Sequence, residues 1–350
     1  MDEGVKKYNY KELGKFSQAV FQYYGVDKKD SNIWSDVLVW ANLRGVDSHG
    51  ILRIPTYVEY LKADIINASP NIDVNLLNGA TARLDADLAP GPVALDLAMQ
   101  TSIEKANEFN VGWCAVSHLT HAGAVGYFSL KAARVDMIGI VMTASQPMMA
   151  YPGSPKNAVS TNPLAIAVPR AARSPLMLDM STSTVGMGKV LQARDQGLNI
   201  PNAWGLDEAG TPTTDPNQLA VLSPLGGAKG AGLSLMIECM TSLVVNNPLI
   251  EPVLRTGYPL EGRPINGVTI AVNPSIFGNK DHFLEQVATL AEQIINLPKS
   301  PGVDEIYAPG ERGDTILKVR EQEGIPLPDG TVKRLKPIAE ECNLKFPEPL

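Results

Sequence analysis

Both ends of the chain show the apolar spacing of α-helices. Between residues 10 and 63, apolar side chains recur every three or four positions and prolines are rare. The repeat includes Phe16, Val20, Tyr23, Trp34, Val37 and Leu38. This period predicts helices, and the stretches 280–297, 314–323 and 332–344 share it. Because a helix buries its apolar stripe against a partner, we expect the two ends to pack together as one helical lobe.

The middle of the chain has the pattern of short strands alternating with helices. Alternating apolar residues at 74–76 and 82–84 flank Asn78-Gly79, which predicts a β-hairpin. Further strands are predicted at 113–117, 137–144, 164–168, 176–179 and 267–272, and helices at 92–109 and 229–245. The sequence therefore predicts an α/β fold with a mixed sheet. We divide it into a helical lobe of residues 1–75 plus 280–350 and an α/β domain of residues 76–279.

Composition places the chain among globular proteins. It has 350 residues, 44% of them hydrophobic and 19% charged, which allows a large core. No apolar run reaches the roughly 18 to 20 residues that cross a bilayer, and the first residues lack the pattern of a secretory signal. We expect no membrane span and a cytoplasmic location. Cys114, Cys239 and Cys342 form no CxxC pair, so neither a disulfide framework nor a cysteine zinc site is expected.

The charge balance narrows the partners further. A net charge of −7 argues against nucleic acid, because binding phosphates along a strand needs a basic face. A small anionic ligand remains compatible with this charge. Its site would have to gather arginine or lysine side chains locally.

One such local concentration lies at residues 44–53, which read RGVDSHGILR. His49 is a candidate proton donor near neutral pH, and Arg53 can hold a carboxylate through two parallel hydrogen bonds. Together they suit the reduction of a 2-oxo acid. The alternative is an ordinary helix N-cap at Ser48 beside a hydrogen-bonded loop histidine. A Ser48/His49 hydrolase is disfavoured, since the two residues are adjacent and no GxSxG motif occurs.

A second pair of histidines, His118 and His121, follows the strand predicted at 113–117 and precedes small residues. Turns from strand to helix are common ligand sites in α/β enzymes. The alternative is a pair of turn histidines with structural hydrogen bonds. We predict no metal site, because no acidic or cysteine third ligand lies near in sequence.

Phosphate-binding motifs of the standard kinds are missing. Neither GxGxxG after a strand nor a Walker A loop is present, which disfavours a Rossmann domain. Residues 179–183 (DMSTS) and 226–232 (GGAKGAG) are alternative phosphate sites, where backbone N–H groups, a helix dipole and Lys229 can meet a pyrophosphate. Each is also compatible with a simple flexible turn.

Six motifs in order resemble the malate/L-lactate dehydrogenase-like family. They are LRGVDSHGILRIPTYVEYL at 43–61, HAGAVGYF at 121–128, STNPLAIAVP at 160–169, LDMSTSTVGMGKV at 178–190, PLGGAKGAGLSLM at 224–236 and APGER at 308–312. The resemblance implies a non-Rossmann NAD(P)-binding fold whose α/β domain holds NAD or NADP, a helical lobe from both termini, and a homodimer. It implies interconversion of a small 2-hydroxy acid and its 2-oxo acid.

The resemblance also implies roles for individual residues. His121 or His49 transfers the proton, with Ser48 beside them, and the sequence leaves open which histidine serves. Arg53 holds the substrate carboxylate, with Tyr57 and Thr161 as pocket partners. The implied cofactor contacts are Ser145, Asp179, Met180, Ser181, Lys229, Gly230, Pro309 and Gly310.

Two departures from common family sequences bear on substrate and cofactor. Residues 118–123 read HLTHAG where many relatives have NSNHFG, a form closer to ureidoglycolate dehydrogenases. Residues 228–232 read AKGAG where many have HKGYG. The open alternatives are therefore ureidoglycolate oxidation, reduction of a cyclic imine acid, and a relative that binds a nucleotide without turnover.

Overall fold

The computed structural model describes residues 5–260, 262 and 264–350. Its α-helices are α1 Tyr10–Tyr23, α2 Lys28–Leu43, α3 Ile54–Lys62, α4 Gly91–Phe109, α5 Gly126–Ala133, α6 Met187–Gln196, α7 Ala228–Glu238, α8 Ile250–Thr256, α9 Lys280–Ile295, α10 Glu311–Glu323 and α11 Asp329–Glu341. Its strands are β1 Lys6–Tyr8, β2 Asp73–Asn75, β3 Thr81–Asp85, β4 Val111–Leu119, β5 Ile138–Ala144, β6 Met149–Tyr151, β7 Ser154–Val159, β8 Leu164–Val168, β9 Leu176–Met180, β10 Gly205–Leu206, β11 Val221–Leu222, β12 Ile265–Val272 and β13 Ile325–Leu327.

A seven-stranded mixed sheet forms the centre of the α/β part, in the order β2-β3-β4-β12-β5-β8-β9. β3 and β4 run parallel because α4 carries the chain back between them, whereas β12 is antiparallel to both of its neighbours. The central strands β4 and β12 are buried along nearly their whole length, as expected of strands covered on both faces.

Helices cover both faces of this sheet. α4 and α5 pack on one face, where Leu95, Met99 and Phe128 share a core with residues of β3, β4 and β5. On the other face Ile237 of α7 packs against Val268 and Ile270 of β12. α7 continues into a π-helical turn, Cys239–Leu243. Because the order and directions of the strands differ from a doubly wound parallel sheet, the fold is not a Rossmann domain.

The two ends of the chain form one helical lobe. β1 pairs antiparallel with β13, and one apolar core joins residues of α1 to α3 with residues of β13 and α11. Phe21 stacks on Trp34 in this core at 3.9 Å between ring centroids. The predicted mixed α/β fold with a lobe built from both termini is thus confirmed.

The domain bounds of 1–75 plus 280–350 and 76–279 remain a prediction, and residues 1–4 lie outside the described residues. α9, assigned by sequence to the lobe, makes hydrogen bonds to the α/β part. The Leu284 carbonyl accepts from Ala171 N–H at 3.1 Å, and Lys280 pairs with Asp136 at 2.9 Å.

The pattern did not predict a second sheet of four strands, in the order β10-β11-β6-β7, nor α6 beside it. Three of these strands have only two or three residues, and the longer one, β7, is largely exposed along its first half. Such short or exposed strands have no apolar alternation for a sequence reading to detect.

Candidate active site

The two loops that carry the candidate histidines meet between the helical lobe and the sheet. The ring centroids of His49 and His121 lie 5.6 Å apart, and the ring planes are inclined by 25°. The Tyr57 hydroxyl of α3 lies 2.8 Å from His121 Nδ1. Segments far apart in sequence therefore form one cluster of titratable groups.

The first loop, residues 47–53, consists of two short 3-10 turns, Asp47–His49 and Ile51–Arg53. The buried Asn42 of α2 holds them: its Oδ1 accepts from Ile51 N–H at 2.8 Å, and its Nδ2 donates to Asp47 at 2.6 Å. A Cβ atom at Gly50 would lie 2.1 Å from Asn42 Oδ1. The glycine of the SHG sequence is thus required by the close approach of Asn42.

Ser48 and Arg53 are fixed within the same loop. Ser48 Oγ lies 2.9 Å from His49 Nδ1, and the Ser48 carbonyl accepts from Arg53 Nε at 2.7 Å. The helix-capping alternative for Ser48 is wrong, because the turn begins at Val46 and has no side-chain cap. Ser48 instead orients the His49 ring.

Both histidines are held in the neutral form. Burial and, to a smaller extent, the Arg53 guanidinium lower the pKa of His49 to about 4. Burial, with smaller effects of Arg53 and His49, brings the pKa of His121 well below its ordinary value. Both residues nevertheless keep some contact with solvent. At neutral pH the pair can accept protons and carries no charge.

Tyr57 is more deeply buried than a typical residue that binds substrate. Its side chain is 1% exposed and packs on Trp34, with ring centroids 5.0 Å apart. His121 Nδ1 also lies 3.3 Å from the Gly123 N–H. The Gly123 N–H can only donate, so this longer contact suits the tautomer with the proton on Nε2, whereas an Nδ1–H that donates to the Tyr57 oxygen leaves Nε2 free to accept a proton. A tyrosine hydroxyl can donate or accept, so Tyr57 can bond to this ring in either protonation state.

The candidate cofactor contacts on β9 lie beside the APGER loop. Asp179 Oδ2 accepts from the Gly126 N–H at 2.9 Å at the start of α5. Desolvation raises the pKa of the Asp179 carboxyl to about 6, and this hydrogen bond and the charge of Arg44 oppose the increase. The Pro309 carbonyl accepts from Met177 N–H at 3.0 Å. Gly310 has φ of +94°, and its carbonyl accepts from Arg44 at 2.7 Å.

A second set of candidate substrate and cofactor contacts lies at one edge of the sheet, where β5 and β9 end and β8 begins. β5 and β9 are each antiparallel to β8, so their carboxyl ends meet the start of β8. Ser145 Oγ lies 2.6 Å from Ser160 Oγ, and the Thr161 carbonyl accepts from Thr182 N–H at 3.0 Å. Met180 and Ser181 end β9 at this edge. Thr161 Oγ1 has a contact of 3.7 Å with the Met148 sulfur.

The start of α7 completes this edge. Gly226 and Gly227 both have left-handed φ angles, 58° and 63°, and no side chain caps the helix. A Cβ at Gly230 would lie 2.4 Å from the Thr182 carbonyl, so α7 begins in direct contact with the segment after β9. Lys229 is exposed here. Bare backbone, an uncapped helix start and a lysine fit an anionic phosphate group.

Comparison with known proteins identifies the family. The profile described as malate/L-lactate dehydrogenase matches residues 8–336. The chain belongs to the malate/L-lactate dehydrogenase family. It is 36% identical to L-sulfolactate dehydrogenase of Methanocaldococcus jannaschii, over 93% of this chain and 94% of that protein. It is 33% identical to ureidoglycolate dehydrogenase (NAD(+)) of Escherichia coli K12, over 87% of this chain and 88% of that protein.

Structural comparison agrees with this assignment. The crystal structure of malate dehydrogenase from Entamoeba histolytica superposes with a TM-score of 0.92 at 28% identity, covering 98% of this chain and all of that one. The family resemblance read from the six motifs is therefore confirmed. No helix in the described ranges is long and apolar enough to span a membrane. Nor does any group of three or more potential metal ligands occur among those residues.

Several residues that shape the site in this malate/L-lactate dehydrogenase family member were not singled out from sequence. They are Asn42, Arg44, Gly123, Gly126, Asn162, Arg170, Gly188 and Arg320. Arg44 is the first residue of the 44–53 motif and Asn42 lies two positions before it, so proximity in sequence was a usable signal. Arg320 had none, since its partner Asp47 is 273 positions away.

Proposed function

We propose that this family member is an NAD(P)-dependent oxidoreductase that interconverts a small 2-hydroxy acid and its 2-oxo acid. One observation carries the proposal: the rings of His49 and His121 lie 5.6 Å apart, and Arg53 is bonded to the carbonyl of Ser48, whose hydroxyl contacts His49. A cation for a carboxylate and a proton-transfer group for the neighbouring oxygen thus share one cleft. This is the arrangement that a 2-hydroxy acid requires at its first two carbons.

In the proposed reaction Arg53 binds the carboxylate and places C2 of the acid beside the histidines. In the oxidative direction the neutral imidazole accepts the hydroxyl proton; in the reductive direction the imidazolium returns it. A nicotinamide, when bound, would supply the hydride acceptor or donor for C2. We assign the proton transfer to His121, with His49 as the alternative, because the Tyr57 hydroxyl can stay bonded to His121 in both protonation states.

Substrate binding can itself prepare the acid form. The positive charge of Arg53 disfavours protonation of both histidines. A bound carboxylate neutralises that charge, which raises the pKa of both rings. Binding of the 2-oxo acid therefore favours protonation of a ring, against the burial that is the larger cause of the low pKa values.

For the cofactor we propose that NAD or NADP binds along the carboxyl ends of β5 and β9, the Pro309–Gly310 loop and the start of α7. Lys229 and Gly230 at the start of α7 are assigned to the phosphates. The other proposed contacts are Ser145, Asp179, Met180, Ser181, Pro309 and Gly310. The printed name of the ureidoglycolate dehydrogenase relative favours NAD.

Malate, sulfolactate and lactate head the proposed substrates, the first two because relatives of similar length bear those names. Ureidoglycolate is the second candidate, favoured by the 33% identical relative and by the HLTHAG loop. A cyclic imine acid and binding without turnover remain further alternatives. Assembly as a homodimer and a cytoplasmic location stay predictions.

The deciding experiment follows the absorbance of NADH and NADPH with oxaloacetate, pyruvate, sulfopyruvate and a cyclic imine acid. The reverse assay uses NAD+ and NADP+ with malate, lactate, sulfolactate and ureidoglycolate. We expect turnover with at least one pair, reduced by a factor of about 10² or more in His121→Ala. An equal loss in His49→Ala alone would reassign the proton transfer to His49. Folded protein that binds NADH but turns over none of the panel would contradict the proposed function.

A further inference from the structure

Beyond the Ser48–His49 and Arg53–Ser48 hydrogen bonds, the 47–53 loop has little internal support for the accurate placement of its side chains. Its backbone bonds are those of single turns, from His49 N–H to Val46, Gly50 N–H to Asp47 and Arg53 N–H to Gly50, each 3.0 Å long. Catalytic groups must be held to within about 0.5 Å, which isolated turns do not achieve. The additional support comes from outside the loop.

Arg320 of α10 supplies that support. Its Nη1 and Nη2 donate to the two carboxylate oxygens of Asp47 at 2.6 and 3.1 Å, and Nη1 also donates to the Asn42 carbonyl. The Asn42 side chain bonds in turn to Asp47 and to Ile51 N–H. One connected set of hydrogen bonds therefore runs from α10 through Asp47 and Asn42 to both turns of the loop.

The ion pair between Arg320 and Asp47 fixes the orientation of the Asp47 carboxylate. The Arg320 side chain is only 16% exposed, and its two-point contact fixes the direction of the carboxylate. A lysine at this position could keep the charge but could not reproduce the planar fork. Ordinary exposed ion pairs, such as Arg255–Glu251 on α8, have no comparable constraint.

The other end of α10 is anchored beside the proposed cofactor contacts. Arg44 binds the Gly310 carbonyl and Asp314, and Arg170 binds Glu311 at 2.9 Å. Both arginines are buried. Arg320 lies nine residues after Glu311, or about 14 Å along the helix axis. A single rigid helix thus contacts the Pro309–Gly310 loop at its start and the 47–53 loop near its end.

We propose that Arg320 is a positioning residue that sets the 47–53 loop, and with it His49 and Arg53, relative to the cofactor loop. It acts through Asp47 and Asn42 and does not touch the reacting atoms. The kinetic part of this proposal rests on the proposed function. The structural part, that Arg320 holds the loop in place, does not.

The kinetic test compares Arg320→Ala and Arg320→Lys with Lys318→Ala, an exposed residue of the same helix. Loss of the contact lets the loop shift by about 1 Å, so kcat/KM for the acid should fall roughly 10- to 100-fold in Arg320→Ala. Arg320→Lys should fall in between. Direct titration of NADH fluorescence should give a Kd within about twofold of the native value, because Arg44 and Arg170 still anchor the cofactor loop.

A second readout does not depend on turnover. Hydrogen–deuterium exchange at residues 46–53 should be roughly tenfold faster in Arg320→Ala and unchanged in Lys318→Ala. If native protein has no turnover, the proposed function fails and this exchange still decides the structural part. Unchanged exchange, or a lowered Tm with unchanged kcat/KM, overturns the proposal. Should Arg320→Ala not fold, Asp47→Asn provides the same comparison with the guanidinium retained.

Discussion

Replacing Tyr57 with phenylalanine removes one oxygen atom from the site. The hydroxyl lost is the one 2.8 Å from His121 Nδ1, while the ring can remain packed on Trp34 and Phe21. His121 then keeps only the longer contact with Gly123 N–H on that side, at 3.3 Å. The change therefore tests whether Tyr57 acts on the histidine, on the substrate, or on stability alone.

The expected loss has a lower and an upper bound. A buried hydrogen bond between neutral groups contributes about 1 kcal/mol, which corresponds to about a fivefold change in rate. If the His121 ring also turns away from its reacting position, the loss can reach about 100-fold. We expect kcat to fall between these bounds while KM for the acid and the Kd of NADH change by less than about threefold.

Steady-state kinetics over a range of acid concentrations at saturating cofactor measure this separation. Tyr60→Phe is the matched control, a tyrosine of the same helix whose hydroxyl has no described hydrogen bond. It should leave kcat unchanged. A raised KM with unchanged kcat in Tyr57→Phe would refute the reasoning and return Tyr57 to the role of a substrate ligand, as the family resemblance implied.

Three further predictions follow from the same cleft. Arg53→Lys keeps the charge but loses the two-point contact, so KM for the acid should rise about tenfold or more in initial-rate assays, and an unchanged KM would remove Arg53 from carboxylate binding. Carboxylate binding raises the histidine pKa values, which in the free protein are about 4 at His49 and below the ordinary value at His121. An unreactive analogue such as oxamate should therefore bind more tightly as the pH falls towards the free pKa of His49, by at most about tenfold per pH unit for each proton taken up. Calorimetry in buffers of different ionisation enthalpy measures that uptake, and a pH-independent affinity would contradict it. Gly50→Ala must displace the Asn42 amide and should lower the free energy of unfolding by about 1–3 kcal/mol in urea titrations, whereas an unchanged midpoint would show that Asn42 moves without loss.

Local patterns were sufficient for the parts of the molecule that form from neighbouring residues. The helix predicted at 92–109 is α4, and the hairpin around Asn78-Gly79 is β2 and β3. Within the site, His49 and Arg53 could be paired from sequence because they are four positions apart. Motif chemistry of this kind needs only one turn of backbone to bring the groups together.

Contacts between distant segments could not be predicted in this way. β12 lies in the sheet between β4 and β5 although it follows β4 by more than a hundred residues. The sequence of a strand does not identify the strand with which it pairs. The bond from Tyr57 to His121 spans 64 positions. The family resemblance implied that Tyr57 is a partner in the substrate pocket, and only the tertiary fold shows that its hydroxyl reaches a histidine.

The distribution of charge connects these contacts to the proposed chemistry. The chain carries a net charge of −7, so its surface as a whole offers no attraction to an acid. In the site, the charge of Arg53 helps to keep both histidines neutral. The hydrogen bond described for the Arg53 side chain is to a backbone carbonyl, that of Ser48, so no acidic side chain among the described contacts weakens its attraction for a carboxylate. Had either histidine been charged in the free protein, binding would gain attraction but no proton would be taken up with the substrate. Holding both neutral makes protonation depend on the arrival of the acid, so the proton donor forms only when there is an oxygen to receive its proton.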